Sequence, residues 1–171
     1  MMSSNTPILG EWLRKGELDL ALCAMPEQNE GLYFEPLYRE PFVALVPKGH
    51  SLAKLEIVEL EDLKNHRLLV TSANCPYRRK LEFLMAQSAL PSPEMMEIGS
   101  MTALSAYVAS GLGVALVPAI LAEALRENVV SRLLKGSSVD MTCGLLSRTT
   151  EAPLAPASAK LYTELREALG N

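Results

Sequence analysis

Apolar positions follow two different spacings along the chain. They recur at helical spacing in 6–15, 76–88 and 157–169, so each of these segments has one apolar face. Between and around them lie short runs that are mostly apolar and predict strands. The predicted strands lie at about 18–22, 32–38, 42–46, 67–71, 94–98, 114–117, 129–134 and 141–147. This alternation is typical of an α/β fold with largely parallel sheets.

Residues that favour helix ends define the bounds of the first of these predicted helices. Thr6 before Pro7 predicts an N-cap followed by proline at the first helical position. Gly16 predicts its end, because glycine readily adopts the left-handed conformation that closes a helix. Shorter helices are predicted at 59–65, from Met101 onward, and from Pro118 to about Arg126.

Two links divide the chain. Pro47–His50 places proline and glycine within four residues, and Lys135–Ser138 contains Gly-Ser-Ser. A chain that leaves one lobe and later returns to it has two such links. The sequence therefore predicts two lobes, with the segment between the links forming the second.

Composition excludes several classes of protein. The chain has 171 residues, 49% of them hydrophobic, and a net charge of -4, so we expect a folded domain that does not itself grip nucleic acid. No apolar run approaches the ~18 residues of a membrane span, and the N-terminus does not resemble a secretion signal. Three cysteines and two histidines argue against a disulfide framework and a zinc site. The cytoplasm is the expected compartment.

Candidate binding chemistry lies where predicted strands lead into helices, since ligands of open α/β sheets collect at the carboxyl ends of strands. Thr71–Pro76 offers two hydroxyls, an amide and a thiol, and Gly99–Thr102 offers two hydroxyls behind a glycine. Val117–Pro118 is a weaker third junction because proline lacks an N–H. Neutral donors at helix N-termini suit a small anion, although ordinary N-capping is the alternative for each residue.

Cys75 and the basic run beside it each allow two interpretations. A thiol at a helix N-terminus can be activated, which would permit a redox-sensing or nucleophilic role, but Cys75 can equally be a small capping residue. The run Arg78–Lys80 can face nucleic acid or an anionic effector, or it can form a solvated helix face. No nucleophile elbow, Gly-rich phosphate loop or HExxH motif occurs, so we predict no catalytic residue, metal or cofactor.

Three stretches of the sequence together resemble the effector-binding domain of LysR-type transcriptional regulators. They are GELDLA at 16–21, PKGHSLA at 47–53, and the segment 108–118 with its glycine pair and closing proline. The resemblance extends from about Asn5 to Leu169. It implies a two-lobed fold like that of type 2 periplasmic binding proteins, with two α/β lobes, mostly parallel sheets and two crossover links.

The resemblance also implies lobe boundaries and site residues. Lobe I would comprise 1–46 and 138–171, and lobe II would comprise 47–137. A small-molecule effector, expected to be a small anion, would bind in the cleft between the lobes and control DNA binding. Its contacts would fall on Asn5, Thr6, Ser72, Asn74, Cys75, Ser100 and Met101.

Partners follow from the same resemblance. DNA would be bound only through an N-terminal helix-turn-helix domain that this sequence lacks, and the chain would form a homodimer or higher oligomer. The first strand and helix of lobe I are also expected to be missing, which would leave a sheet edge exposed.

Three functions are alternatives to that of a regulator domain. They are a free-standing solute-binding protein, a thiol-based redox sensor or enzyme acting through Cys75, and a purely dimerising fragment.

Overall fold

The protein divides into two compact units. The computed structural model describes residues 4–28, 31–88, 91–124, 127–135, 140–148 and 155–170. Unit 1 comprises Met1–Arg39 and Met141–Asn171, and unit 2 comprises Glu40–Asp140. The lobe boundaries inferred from the sequence, 1–46 with 138–171 and 47–137, stay a prediction, and most of the second link, 136–138, lies outside the described residues.

Helices and strands alternate over most of the described chain. The helices are α1 (Thr6–Lys15), α2 (Leu60–Leu63), α3 (Pro76–Gln87), α4 (Leu104–Ala109) and α5 (Pro156–Leu169), with 3₁₀ helices at Ser51–Lys54 and Ala119–Ala124. The strands are β1 (Leu20–Ala24), β2 (Leu32–Pro47), β3 (Ile57–Val58), β4 (Leu68–Val70), β5 (Met95–Glu97), β6 (Val114–Pro118), β7 (Val129–Leu134) and β8 (Asp140–Arg148). The α/β class is as predicted.

Several predicted elements differ from those observed. The strands expected at 32–38 and 42–46 form the single 16-residue strand β2, because the intervening residues continue the extended backbone. The helix expected after Pro118 is a 3₁₀ helix of six residues. Across the described residues, no helix is both long and apolar enough to span a membrane.

Unit 1 is built on three strands in the order β1–β8–β2. Strand β1 pairs with β8 in antiparallel register, with Leu20 opposite Ser147. Helix α1 packs Leu9 and Leu13 into a cluster whose other buried members are Ala21, Leu32 and Leu146. Its apolar residues therefore bury one face of α1 against the strands.

The ends of α1 correct one prediction. Asn5, not Thr6, is the N-cap, and its side chain accepts a hydrogen bond from the N–H of Ile8 at 3.2 Å. Pro7 is the second residue of the helix and not the first, a position that is acceptable because proline is tolerated in the first turn. Gly16 ends the helix with φ at 77°, as its position suggested.

Unit 2 holds a six-stranded sheet in the order β3–β7–β2–β6–β4–β5. The pairs β4–β5, β4–β6 and β3–β7 are parallel. Strand β2 runs antiparallel to both β6 and β7, its neighbours on either side. The sheet is therefore mixed, where the sequence predicted a largely parallel one, because β2 enters this unit against the direction of its neighbours.

In the core of unit 2, side chains of α4 pack against apolar side chains of this sheet. Its buried cluster comprises Val43, Leu45, Leu69, Ile98, Leu104, Val108, Ala115, Val117 and Val129. At Gly113 a side chain would not fit, because a Cβ would lie 2.5 Å from the carbonyl oxygen of Arg67. The close approach at Gly113 lets β6 pair with β4 directly after the turn.

Candidate functional site

The candidate site lies in unit 2, where β4 and β5 end side by side. The two strands are parallel, with Leu68 opposite Met95 and Val70 opposite Glu97. The N–H of Ile98 donates to the carbonyl oxygen of Val70 at 2.7 Å. The carboxyl ends of both strands therefore meet at one edge, and the loops that follow them are neighbours.

The first loop leads from β4 into α3. Ser72 is half-buried and Asn74 is exposed. Cys75 is the N-cap of α3, its side chain makes no capping hydrogen bond, and its N–H donates to the carbonyl oxygen of Ser72 at 2.9 Å. The first-turn amides of this 12-residue helix thus lie beside the side chains that the sequence selected, an arrangement that suits an anionic oxygen.

The second loop leads from β5 towards α4. The hydroxyls of Ser100 and Thr102 are 2.9 Å apart, and both residues are exposed. Helix α4 starts at Leu104 and has six residues, so it begins later than predicted from Met101 onward. The preceding residues form a tighter turn, in which the N–H of Ala103 donates to the carbonyl oxygen of Ser100 at 3.2 Å.

A small internal cavity lies under these two loops. Its volume is about 10 Å³, room for about one water molecule. It is lined by Val70, Thr71, Tyr77, Arg78, Leu81, Met101, Leu104 and Leu116. The ring of Tyr77 also packs edge-on against Phe42, with centroids 5.4 Å apart.

Arg78 lies within this arrangement and was not recognised as a site residue from the sequence. It bonds to the carbonyl oxygen of Thr71 and to the carboxylates of Glu82 and Glu97, so it is not a merely solvated residue of the helix. The spacing of Arg78 and Glu82, four apart on one helix, was the available sequence signal. Thr71 was named as part of the junction Thr71–Pro76 but not among the effector contacts, and Tyr77 was missed because this residue type is not distinctive at a helix end.

The two predicted site residues of unit 1 are already engaged in local contacts. The side chain of Asn5 caps α1. Thr6 is 7% exposed, and its hydroxyl donates to the carbonyl oxygen of Ala24 at 3.5 Å. An effector role for Asn5 and Thr6 stays a prediction, as do the roles of Ser72, Asn74, Cys75, Ser100 and Met101.

None of the three cysteines, all of which the structure describes, forms a disulfide bond. Cys23 and Cys143 lie on strands of unit 1, and burial raises the pKa of the Cys23 thiol to about 12. Cys75 lies at the start of α3 in unit 2. In the part of the chain that the structure describes, no group of three or more His, Cys, Asp or Glu side chains is placed to hold a metal ion.

Comparison with known proteins shows the family. The sequence profile described as "LysR substrate binding domain" matches residues 1–170. The chain belongs to this family. It is 31% identical over 170 residues to the "Probable hydrogen peroxide-inducible genes activator" of Streptomyces viridosporus, a match that covers 96% of this chain and 54% of that protein. The chain thus spans about half the length of this curated relative.

Solved structures of the family share the fold. The effector binding domain of QuiR in complex with shikimate matches with a TM-score of 0.83 at 24% identity, covering 98% of this chain and 78% of that one. The BenM effector binding domain with its effector benzoate matches with a TM-score of 0.83 at 19% identity, covering 98% and 76%. These matches confirm the two-lobed fold inferred from the sequence.

The LysR-type family also decides among the functions considered. The chain is an effector-binding domain of the kind found in LysR-type transcriptional regulators, which are regulators and not enzymes. A free-standing solute-binding protein and a thiol-based redox sensor or enzyme acting through Cys75 are therefore not favoured.

Proposed function

We propose that this chain senses a small metabolite through the two neighbouring loops of unit 2, 72–75 and 99–102, and passes the signal to a DNA-binding domain of the same regulator. The observation that carries the proposal is the parallel pairing of β4 and β5, which brings both loops to one edge. Hydroxyl and amide groups from both loops can then contact one ligand.

The effector that suits this edge is a small carboxylate. Ser72, Asn74 and Ser100 contribute neutral hydrogen-bonding groups, and the amino end of α3 contributes a favourable potential for an anion. The acids shikimate and benzoate, which occupy the domains of QuiR and BenM, belong to this chemical class. A bulky hydrophobic effector suits the edge less well, since the cavity beneath it measures about 10 Å³.

The wider setting of the domain is proposed from the family. LysR-type regulators act as oligomers that bind DNA through an N-terminal domain, so we propose a homodimer or higher oligomer in the cytoplasm. Effector binding would favour one conformation of the domain over another, which is how a ligand shifts the activity of an attached part. The chain described here would contact the effector and leave the DNA to that other domain.

Paired serine variants test the site. A thermal-shift screen of small carboxylates, starting with shikimate and benzoate, should find a ligand that stabilises the protein by about 2.7 kcal/mol at 100 times its dissociation constant. Ser72→Ala and Ser100→Ala should then each weaken binding about tenfold, because each removes one hydrogen bond to the ligand. Binding would be measured by isothermal titration calorimetry.

Ser110→Ala is the matched control, since Ser110 is an exposed serine of the same unit whose hydroxyl donates to Tyr107 at 2.7 Å. It should bind as the wild type does. Wild-type affinity in both Ser72→Ala and Ser100→Ala would show that the effector binds elsewhere.

A further inference from the structure

One guanidinium group connects the two strand ends at which the proposed site is built. Nη1 of Arg78 donates to the carbonyl oxygen of Thr71 and to Oε2 of Glu97, each at 2.8 Å. Nε of the same side chain donates to Oε1 of Glu82, one turn along α3, at 2.8 Å. The Arg78 side chain is 17% exposed, whereas the side chains of Glu82 and Glu97 are 41% and 57% exposed.

Two of the three acceptors, Thr71 and Glu97, lie where the two loops begin. Thr71 follows the last residue of β4 and directly precedes Ser72. Glu97 is the last residue of β5 and lies three positions before Ser100. The planar guanidinium of Arg78 thus fixes the point at which each loop leaves the sheet. It thereby also fixes the spacing between the polar groups of the two loops.

The position of Arg78 in its helix supports a specific role. It occupies the first turn of α3, where the positive end of the helix dipole disfavours a cation by about 0.3–1 kcal/mol. Two carboxylates and a carbonyl offset this by accepting hydrogen bonds from Nε and Nη1 of the guanidinium. Arg78 is therefore placed to organise the loops.

We propose that Arg78 is the positioning residue of the effector site, holding the loop after β4 and the loop after β5 at the spacing that one ligand requires. This inference rests on the proposed function in that it takes these loops as the effector site. Its structural consequence, that loss of Arg78 loosens the loop from Ser72 to Cys75 while the rest of the protein stays folded, can be measured without any effector.

Cys75 supplies the readout. It lies at the end of the loop that Arg78 fixes, whereas Cys143 is 3% exposed and the Cys23 thiol has a raised pKa. Arg78→Gln should speed iodoacetamide labelling of Cys75 at pH 7.5 about tenfold. This is the effect of losing the charge-assisted hydrogen bond from Arg78 to the carbonyl oxygen of Thr71. Labelling of Cys23 and Cys143 should not change. Mass spectrometry of the three cysteine peptides gives each rate separately.

Two controls accompany this variant. Lys80→Gln removes one positive charge from the same helix two residues away and should leave the labelling of Cys75 at the wild-type rate. Glu97→Gln keeps the bond from Arg78 to Thr71 and weakens the one to β5, so it should speed labelling less than Arg78→Gln does. If Arg78→Gln does not fold, Arg78→Lys, which keeps the charge but loses the planar fork, replaces it with the same expectation.

Two results would overturn the proposal. An unchanged rate at Cys75 would show that Arg78 does not hold the loop, and equal acceleration of all three cysteines would show general loss of stability. The proposed function is tested separately by calorimetry with shikimate and benzoate. Faster labelling of Cys75 in Arg78→Gln, together with serine variants that bind as the wild type does, would uphold the positioning role and reject the location of the effector.

Discussion

Helix α5 of unit 1 is held differently from the helices of unit 2. In unit 2, α3 buries Leu81, Leu84 and Met85, and α4 buries Leu104 and Val108. In unit 1, no residue of α5 is buried, although the helix has 14 residues. Its side chains Leu165 and Leu169 are half-buried, and polar contacts also attach the helix.

Those polar contacts of α5 converge on two carboxylates. Tyr162 donates to Glu35, Arg166 forms an ion pair with Glu35 at 3.0 Å, and Ser158 donates to Asp19 at 3.1 Å. Burial and the bond to Glu35 raise the pKa of Tyr162 to about 12. Helices α3 and α4 of unit 2, which carries the candidate site, are thus held by buried apolar side chains, while the last helix of unit 1 combines half-buried leucines with charged and hydroxyl groups.

The largest expected effect comes from emptying the core of unit 2. Leu104→Ala should lower the free energy of unfolding by about 2–5 kcal/mol, because the side chain is 1% exposed and its loss leaves a cavity. Leu161→Ala on α5, where the side chain is 52% exposed, should cost less than about 0.5 kcal/mol. Urea denaturation followed by circular dichroism measures both. Equal losses in the two variants would contradict the contrast between the units.

A smaller effect is expected from the carboxylate that holds α5. Glu35→Gln should weaken the bonds from Tyr162 and Arg166 and lower the free energy of opening of α5 by about 1–2 kcal/mol. Amide hydrogen exchange would show this as faster exchange in α5 and unchanged exchange in α3. Glu164→Gln, which removes an exposed carboxylate from the same helix, is the control. Protection of α5 that survives Glu35→Gln would mean that apolar contacts hold the helix after all.

The smallest effect is a pH dependence confined to unit 2, which contains both histidines of the chain. The ring of His50 lies 4.6 Å from that of His66, and its Nδ1 accepts the N–H of Leu52 at 3.3 Å. Burial and the neighbouring His66 lower the pKa of His50. The folded state therefore binds this proton less readily than the unfolded state does, and stability is lost as the pH falls below 6.5, the ordinary histidine value.

Thermal unfolding between pH 7.5 and 5.5 measures this loss. His66→Gln should reduce the dependence, because it removes the second positive charge that opposes protonation of His50. A melting temperature that rises as the pH is lowered over this range would contradict the sign of the effect.

Much of the fold could be predicted from local sequence signals. The helix Thr6–Lys15 was predicted to within one residue at its start, because Pro7 and Gly16 mark its ends, although its N-cap is Asn5 and not Thr6. The apolar strand Val114–Pro118 was equally clear. The direction of β2 could not be predicted, since the pairing of distant strands depends on topology and not on the pattern of one strand. For the same reason a mixed sheet was read as a largely parallel one.

The candidate site was only partly visible in the sequence. Strand-to-helix junctions are recognisable locally, so Ser72 and Ser100 were selected before their loops were known to be neighbours. Arg78 was not, because its partners Thr71 and Glu97 lie 7 and 19 positions away along the chain. Contacts of that separation become apparent only once β4 and β5 are known to pair.

Binding of the effector at the edge of unit 2 where β4 and β5 end can be followed by titrating the ¹⁵N-labelled protein with shikimate and benzoate and recording amide chemical shifts. The largest shifts should occur at Ser72–Cys75 and Ser100–Thr102, with little change in α5. Saturable binding whose largest shifts fall in unit 1, with the two loops of unit 2 unaffected, would contradict it.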